Sequence, residues 1–512
     1  MSVRLGWKFR VQFAGLIFDN IDETIFEPVY SSNPATRPNT PVNILVCANI
    51  LKTMFHCTDD QVNENLMFDI RWQVALRTTS FPEQPLSDKS LQRFRNRLLA
   101  YEVLTGRDLM KEAIIALGDK LSKIMEITGE CKCMDSMMIA SNVRKLSRLE
   151  LLYTCVADLT NLLKKHEITL AESLHHYCDA NDMNAFIYHN KSAEASSKIA
   201  TVLSDAKWLL KNTPECYQES NEFLLLVRAI REQAKMNDNG DYILRTKEDG
   251  EMGSDILQSP YDPDATFRVK AGKEHRGYVA NLTEDVSCDE EGKVKHSLIT
   301  DYQYERNNHS DAEFLNEKLK SMPVQENETV ITMDGAYPND ENEELAAKKN
   351  ITIIPTNISG KASDAINADF EIEEDKGIIR CPAGQCPLKT SYSEKTEAYS
   401  ATFEKTTCES CPYFDKCHPN IHGRKSTKRL SKKTIRRAKY VKSRCTDEFK
   451  KYSRIRNGVE TLPSLIRNLF RVDKQPWRGF LKTKLQFGCC VAAANFRKIY
   501  RQGVRVSCAL FN

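Results

Sequence analysis

Asp334 closes the run Thr329-Val-Ile-Thr-Met333, and Gly335 follows it. The run is β-branched or apolar, which suits a buried strand. The acidic stretch Asn339–Glu344 then opens a helix. Asp334 therefore sits at the C-terminal tip of a strand, where open α/β sheets place their chemistry. An Asp-Gly pair taken alone is an ordinary turn. A second acid, Asp135, lies inside Cys131-Lys-Cys-Met-Asp-Ser-Met-Met-Ile-Ala140, which also reads as a strand. A lone Asp on a short strand is commonly structural, so neither acid identifies a site by itself.

A different chemistry is carried by Cys381, Cys386, Cys408, Cys411 and Cys417, which fall with His418 within 38 residues. Cys408-Glu-Ser-Cys411 has the Cys-x2-Cys spacing of a zinc half-site, because two thiolates so placed can turn toward one tetrahedral ion. The other half is less regular. A structural Zn²⁺, reduced thiols in a small β-rich insert and an iron–sulfur cluster are all compatible with this spacing. Cys131 and Cys133 share a strand face without a partner pair and read as buried thiols. Next comes a basic run. Residues 421–456 hold fifteen Lys or Arg against two acids, Asp447 and Glu448. Such a run is commonly a solvated face.

Composition sets the frame. At 512 residues the chain needs two to four domains. Hydrophobic content of 41%, charged content of 28% and a net charge of +3 fit a globular protein. No run of about 18 apolar residues occurs, so no membrane span is expected. Seventeen cysteines, an odd number, without an export signal favour a reducing cytoplasm over a disulfide framework.

The elements that must position these residues follow in order. Residues 1–40 read as irregular, with a Pro-rich linker at 31–41. Val42 to about Leu121 is helical in pattern. Within it, Thr58-Asp-Asp-Gln reads as a helix cap. Ser87–Leu98 reads as a capped helix with Arg93, Arg95 and Arg97 around Phe94. That helix could grip DNA or be a solvated amphipathic face. Residues 145–252 read as an all-helical insertion. Strand signals return at 265–270, 275–286 and 296–304. A helix capped by Ser310, the strand 329–333, a helix near 341–349 and the strand 351–356 complete the alternation. Residues 452–467 and 485–500 are helical in pattern, with Trp477–Lys482 as a loop. Three adjacent strands followed by alternating helix and strand is close to the order of an RNase H-like fold. The expected class is α/β, with an RNase H-like mixed sheet core, an all-helical insertion, a Cys-rich insertion and a helical N-terminal domain. The expected boundaries are 1–125, 126–144, 145–252, 253–355, 356–420 and 421–512.

Several stretches together resemble the bacterial insertion-sequence transposases of the DDE class. Met134-Asp135-Ser-Met-Met-Ile-Ala-Ser-Asn142 resembles their first-aspartate motif, and Met333-Asp334-Gly-Ala-Tyr337 their second. Ser259-Pro-Tyr-Asp-Pro-Asp264, with Gly277-Tyr278, resembles the second and third core strands. Tyr452, Arg456, Glu460 and Arg467 resemble the family's Tyr–Arg–Glu–Lys signature. Arg478-Gly479 and Asn495 resemble the closing motif, and Ser87–Leu98 the N-terminal helical region. There are two departures. The tyrosine-to-arginine step is one residue long, so Arg454 or Arg456 could fill the arginine's place. Arg467 stands where lysine is usual, and the two do not bind phosphate alike.

The resemblance implies a DNA transposase that binds terminal inverted repeats, cleaves the ends and joins them to target DNA. Asp135, Asp334 and Glu460, 199 and 126 residues apart, would hold two Mg²⁺ ions, with Mn²⁺ able to substitute. Tyr452, Arg454 or Arg456, Arg467 and Arg478 would contact DNA. The basic run would add salt-sensitive, sequence-independent binding. Double-stranded DNA and a homodimeric synaptic complex are the implied partners. The alternatives are an inactive, transposase-derived DNA-binding protein and an RNase H-like nuclease.

Overall fold

The computed structural model describes residues 6–30, 39–81, 83–179, 181–188, 194–250, 253–270, 272–289, 291–357, 363–373, 376–459 and 461–502. Its centre is a mixed sheet whose main strands are β1 (Cys131–Ala140), β2 (Lys273–Cys288), β3 (Val294–Arg306), β4 (Thr329–Met333) and β5 (Ile351–Pro355). Across the sheet the order is β3-β2-β1-β4-β5. β1 runs antiparallel to β2 and parallel to β4, and β4 runs parallel to β5. A short strand, Thr266–Lys270, pairs with the start of β2. β1 and β2 approach closely at Gly277, whose φ is +140°. A Cβ there would stand 2.4 Å from the Ile139 carbonyl oxygen, so only glycine fits.

Helices of eight or more residues are α1 (Trp7–Leu16), α2 (Val42–Phe55), α3 (Asp59–Phe68), α4 (Ser90–Thr105), α5 (Leu109–Ile124), α6 (Arg148–Lys165), α7 (Ala195–Asn212), α8 (Asn221–Gln233), α9 (Asp311–Ser321), α10 (Asp340–Lys348), α11 (Lys432–Ser443), α12 (Asp447–Val459), α13 (Thr461–Phe470) and α14 (Phe480–Gln502). Strand alternation splits them between the sheet faces. Met134 and Met138 of β1 face a core with Phe314, Leu315 and Leu319 of α9 and Ala346 of α10. Met137 and Ile139 face the opposite way, into a larger core. That core joins α1, α2, α4 and α5 to α13 and α14, so the N-terminal helices and the C-terminal helices pack as one body on the sheet. Between β1 and the strand at 266, helices α6, α7 and α8 bury a separate core of their own.

Local signals explain most of these elements. Thr58 with Gln61, Ser147 with Glu150 and Ser310 with Glu313 form capping boxes that start α3, α6 and α9. Four segments differ from the sequence reading. Residues 145–252 are not all-helical, since Ala234–Met236 pairs antiparallel with Tyr242–Leu244. Trp7–Leu16 is a helix rather than an irregular segment: from Phe9 to Leu16 all but Val11 are buried, including Arg10 and Gln12, which erases the amphipathic period that would betray it. α4 begins at Ser90 after Lys89, with no side-chain cap, rather than at Ser87. Residues 259–264 are a buried turn rather than a strand. There Asp262 accepts hydrogen bonds from Tyr278 (2.6 Å), the Gly479 amide (3.1 Å) and Ser141. It thereby ties the ends of β1 and β2 to the start of α14.

Asn495 of α14 is 1% exposed and clamps the edge of β3. It accepts from the Ile299 amide (2.8 Å) and donates to the Ile299 carbonyl (2.7 Å). Asn495→Ala leaves both groups unpaired, and it should destabilise the fold by about 2–4 kcal/mol in denaturant-induced unfolding. An unchanged midpoint would contradict this clamp.

Candidate active site

The pairing of β1 with β4 is what brings the two aspartates together. Cys131, Lys132 and Cys133 stand opposite Val330, Ile331 and Thr332. Carried two residues further, that register sets Asp135 alongside Asp334, on neighbouring strands about 4.8 Å apart. Alternation puts Asp135 on the face of Cys133, Met137 and Ile139, toward α12 and α13. Asp334 is the first residue beyond β4 and is half-buried. Its turn is held from several sides. The Gly335 amide donates to Asn357 Oδ1 (3.0 Å), and the Tyr337 amide donates back to the Asp334 carbonyl (3.3 Å). Tyr337 itself is buried, its hydroxyl donating to Asn281 Oδ1 of β2 (2.8 Å). The Asp-Gly turn is thus anchored to the strand two positions away.

Asp135 carries the electrostatic tension of the site. Burial raises its pKa, and the charge of Asp334 adds to the rise, while Arg456 and Lys270 pull it down. Arg456 Nη2 of α12 lies 3.1 Å from Asp135 Oδ1, and the arginine side chain is only 7% exposed. A third acid stands on the same face. Glu284 of β2 is opposite Cys133, two pairs along from Asp135, and is 1% exposed. Its Oε1 pairs with Lys498 of α14, and Oε2 has no hydrogen-bond partner among the described residues. Cys133, Asp135, Glu284, Arg456 and Leu462 line one small recess. Sequence reading missed Glu284 and Lys498. The available signal was an acid in the middle of an otherwise core-like run.

Beside Asp334 opens a larger cleft of about 630 Å³. One wall is the turn Gly335–Asp340 with Pro355 and Asn357, and the other is α11 with Lys433, Arg436, Arg437, Lys439 and Tyr440. α11 starts at the Ser431 cap and lies against the acidic first turn of α10, where Arg436 pairs with Asp340 and, at 3.3 Å, with Glu343. Burial, with Asp334 nearby, pushes the Tyr440 hydroxyl up to about 12. The basic run is therefore folded, as two short strands and two helices, with part of it directed to the aspartate end of the sheet.

The remaining candidates divide between inward and outward positions. Tyr452 packs against Cys133, Val286 and Ile455, and burial raises its pKa. Arg454 is exposed. Arg467 of α13 donates to Asp473 (2.7 Å) and to the Met138 carbonyl of β1 (2.6 Å). Arg478 donates to the Asn142 carbonyl (3.0 Å) and stacks over Tyr261. Of the arginines in α4, Arg93 and Arg97 are exposed, while Arg95 is buried against Asp59 (2.5 Å) and Trp477. Glu460 lies outside the described residues. Of the five cysteines, Cys381, Cys408, Cys411 and Cys417 line a common pocket, and Cys386 is exposed. Among the described residues no three His, Cys, Asp or Glu side chains stand as a ready-made metal-ligand set. Nor is any described helix long and apolar enough to cross a membrane.

Comparison with known proteins adds one finding. Residues 380–500, about a quarter of the chain, match the family model described as transposase DDE domain. The match supports a DDE-class transposase, the resemblance carried by the motifs. It spans the cysteine block, the basic run, Glu460 and most of α14, and it does not reach Asp135 or Asp334. No curated protein and no solved structure matches the chain.

The raised pKa of Asp135 has a consequence for stability. A carboxyl that holds its proton more tightly when folded destabilises the fold once it is ionised. This penalty sets in above the ordinary carboxylate pKa of about 3.9 and is complete above the raised value. Asp135→Asn should therefore raise the thermal midpoint at pH 7, and the gain should vanish as the pH falls below about 3.9. A lower midpoint at pH 7 would contradict this reading of the site.

Proposed function

We propose that the chain is a DNA transposase with an RNase H-like core, cutting at the ends of its own element and joining them to target DNA. The observation that carries the reading is the parallel β1–β4 register, which aligns Asp135 with Asp334 in a chain whose residues 380–500 match a transposase DDE domain. The strand order β3-β2-β1-β4-β5, with β2 and β3 antiparallel and β1, β4 and β5 parallel, supports the core assignment. Residues 145–252 and 356–420 are then insertions into that core.

The acids fit a hard divalent cation. Asp135 and Asp334 are oxygen donors side by side, and burial and mutual repulsion both disfavour the ionised form of Asp135. Glu460 completes the set by its place in the motif. Two Mg²⁺ ions, or Mn²⁺ in their place, would supply an activated water and charge stabilisation on the leaving oxygen.

The chain's own residues do the rest. Arg456 holds the Asp135 carboxylate in place from α12. Tyr337 and Asn357 keep the Asp334 turn from shifting. Lys433, Arg437 and Lys439 line the cleft beside Asp334 and would bind the phosphates of the strand being cut. Arg454 offers an exposed contact from the adjoining helix. Arg467 and Arg478, bonded to the Met138 and Asn142 carbonyls, would bind DNA with the end of β1 as their support. The exposed Arg93 and Arg97 would read the element ends from α4, and two copies would synapse two ends.

The test is cleavage of DNA carrying the inverted repeats that flank the gene, with Mg²⁺ or Mn²⁺. Asp334→Asn should reduce the rate by about 10³-fold or more, since several kcal/mol of transition-state stabilisation depend on the acid set. Cleavage unaffected by that substitution would sink the proposal.

A further inference from the structure

The block between β5 and α11 holds chemistry that the acids do not use. It contains a four-stranded sheet of β6 (Lys389–Ser393), β7 (Ala398–Glu404), β8 (Asn420–His422) and β9 (Lys425–Ser431), in the order β6-β7-β9-β8. Beside it Cys381 arrives from one stretch and Cys408, Cys411 and Cys417 from another, and all four line one pocket. Cys386, only five residues from Cys381, is exposed instead.

The backbone around these thiols is tightly turned. The Cys381 amide donates to the Gln385 carbonyl (2.9 Å), and the Gly384 amide donates to the Cys381 carbonyl (2.8 Å). The Cys411 amide donates to the Cys408 carbonyl (3.1 Å), and the Cys417 amide to the Tyr413 carbonyl (2.7 Å). Such turns swing two side chains of a Cys-x2-Cys step to one side. Cys381, Cys408 and Cys417 also pack against one small core that includes Phe370, Phe403 and Leu430. Beneath them Lys428 of β9 is 8% exposed, and its ammonium donates to the Cys417 carbonyl. A buried lysine costs stability unless negative charge faces it. Asp364 acts on it from nearby, and four neutral thiols would add no charge to that.

We propose that Cys381, Cys408, Cys411 and Cys417 form a tetrathiolate site for one soft divalent cation of the zinc class, with Cys386 outside it. Thiolates are the form that binds such ions, and four of them around a divalent cation leave negative charge for Lys428 to offset. The thiols are free and do not stand as a closed ligand set, so binding an ion requires their side chains to rotate toward it. The position gives the ion a purpose. β9 ends at Ser431, which caps α11 by accepting from the Thr434 amide (3.1 Å), and α11 forms the basic wall of the cleft at Asp334. An ion that locks the sheet also fixes the base from which this wall departs. The assignment rests on the thiols alone and stands or falls independently of the transposase reading.

The full-length chain, purified under reducing conditions, stripped with chelator and reloaded with Zn²⁺, should hold about one zinc per chain by mass spectrometry of the metal. Cys386→Ser should keep it and Cys411→Ser should lose it. Because Cys411→Ser could fail to fold, Co²⁺ loaded into the unmodified chain gives the second readout. Strong visible bands of tetrahedral cobalt with thiolate charge transfer are expected. Four results would overturn the site: no zinc retention with no such bands, the absorbance of an iron–sulfur cluster, disulfides among the four cysteines, or zinc lost equally in Cys386→Ser.

Discussion

The parallel pairing of β1 with β4 is the constraint on which the rest depends. The two strands are separated by nearly two hundred residues, and only their hydrogen-bonded register sets Asp135 beside Asp334. A one-residue slip would turn Asp135 to the opposite face, where α9 and α10 pack. Several features hold the register. β1 is buried between β2 and β4, Gly277 lets β2 come close, and Met134 and Met138 fill one core while Met137 and Ile139 fill the other. Asp262 and Arg467 then fasten the far end of β1 to α14 and α13.

Around that register the charges are arranged in tension. Asp135 is disfavoured as an anion by its burial and by Asp334, and the compensating Arg456 comes from a helix much later in the chain. Glu284 is buried nearby and takes Lys498 as its partner. Strain of this kind is a common price of function, since a well-solvated or fully paired carboxylate has little left to offer a cation. The second basic layer, α11, is tied to the acidic start of α10 through Arg436, and its Lys433, Arg437 and Lys439 line the cleft.

Much of this was legible in the sequence, for physical reasons. The run at 329–333 is buried on both sides and that at 351–355 is partly buried, and both read as continuous β-branched or apolar stretches. Thr58 and Ser310 announced their helices through side-chain caps. The first helix was hidden because it is buried nearly all round. The direction of basic residues was hidden too. Arg95 and Arg456 have the composition of DNA contacts but fold inward to acids that lie far away in the chain. Spacing could not separate Cys386 from Cys381, because only the turn at Gly384 directs one to the pocket and leaves the other in solvent. Glu284 stood out only as an acid in a core-like run, and its neighbour on β1 is set by an antiparallel pairing that no local pattern encodes.

The proposed function requires the segments bearing Asp135, Asp334 and Glu460 to surround one cation-binding centre. Iron-directed backbone cleavage tests this most directly. Fe²⁺ is exchanged for Mg²⁺, ascorbate and peroxide are added, and the protein fragments are mapped by mass spectrometry. Cuts clustered near residues 135, 334 and 460 are expected, suppressed by excess Mg²⁺ and lost in Asp334→Asn. Cuts confined to other parts of the chain, or a pattern indifferent to Asp334→Asn, would contradict it.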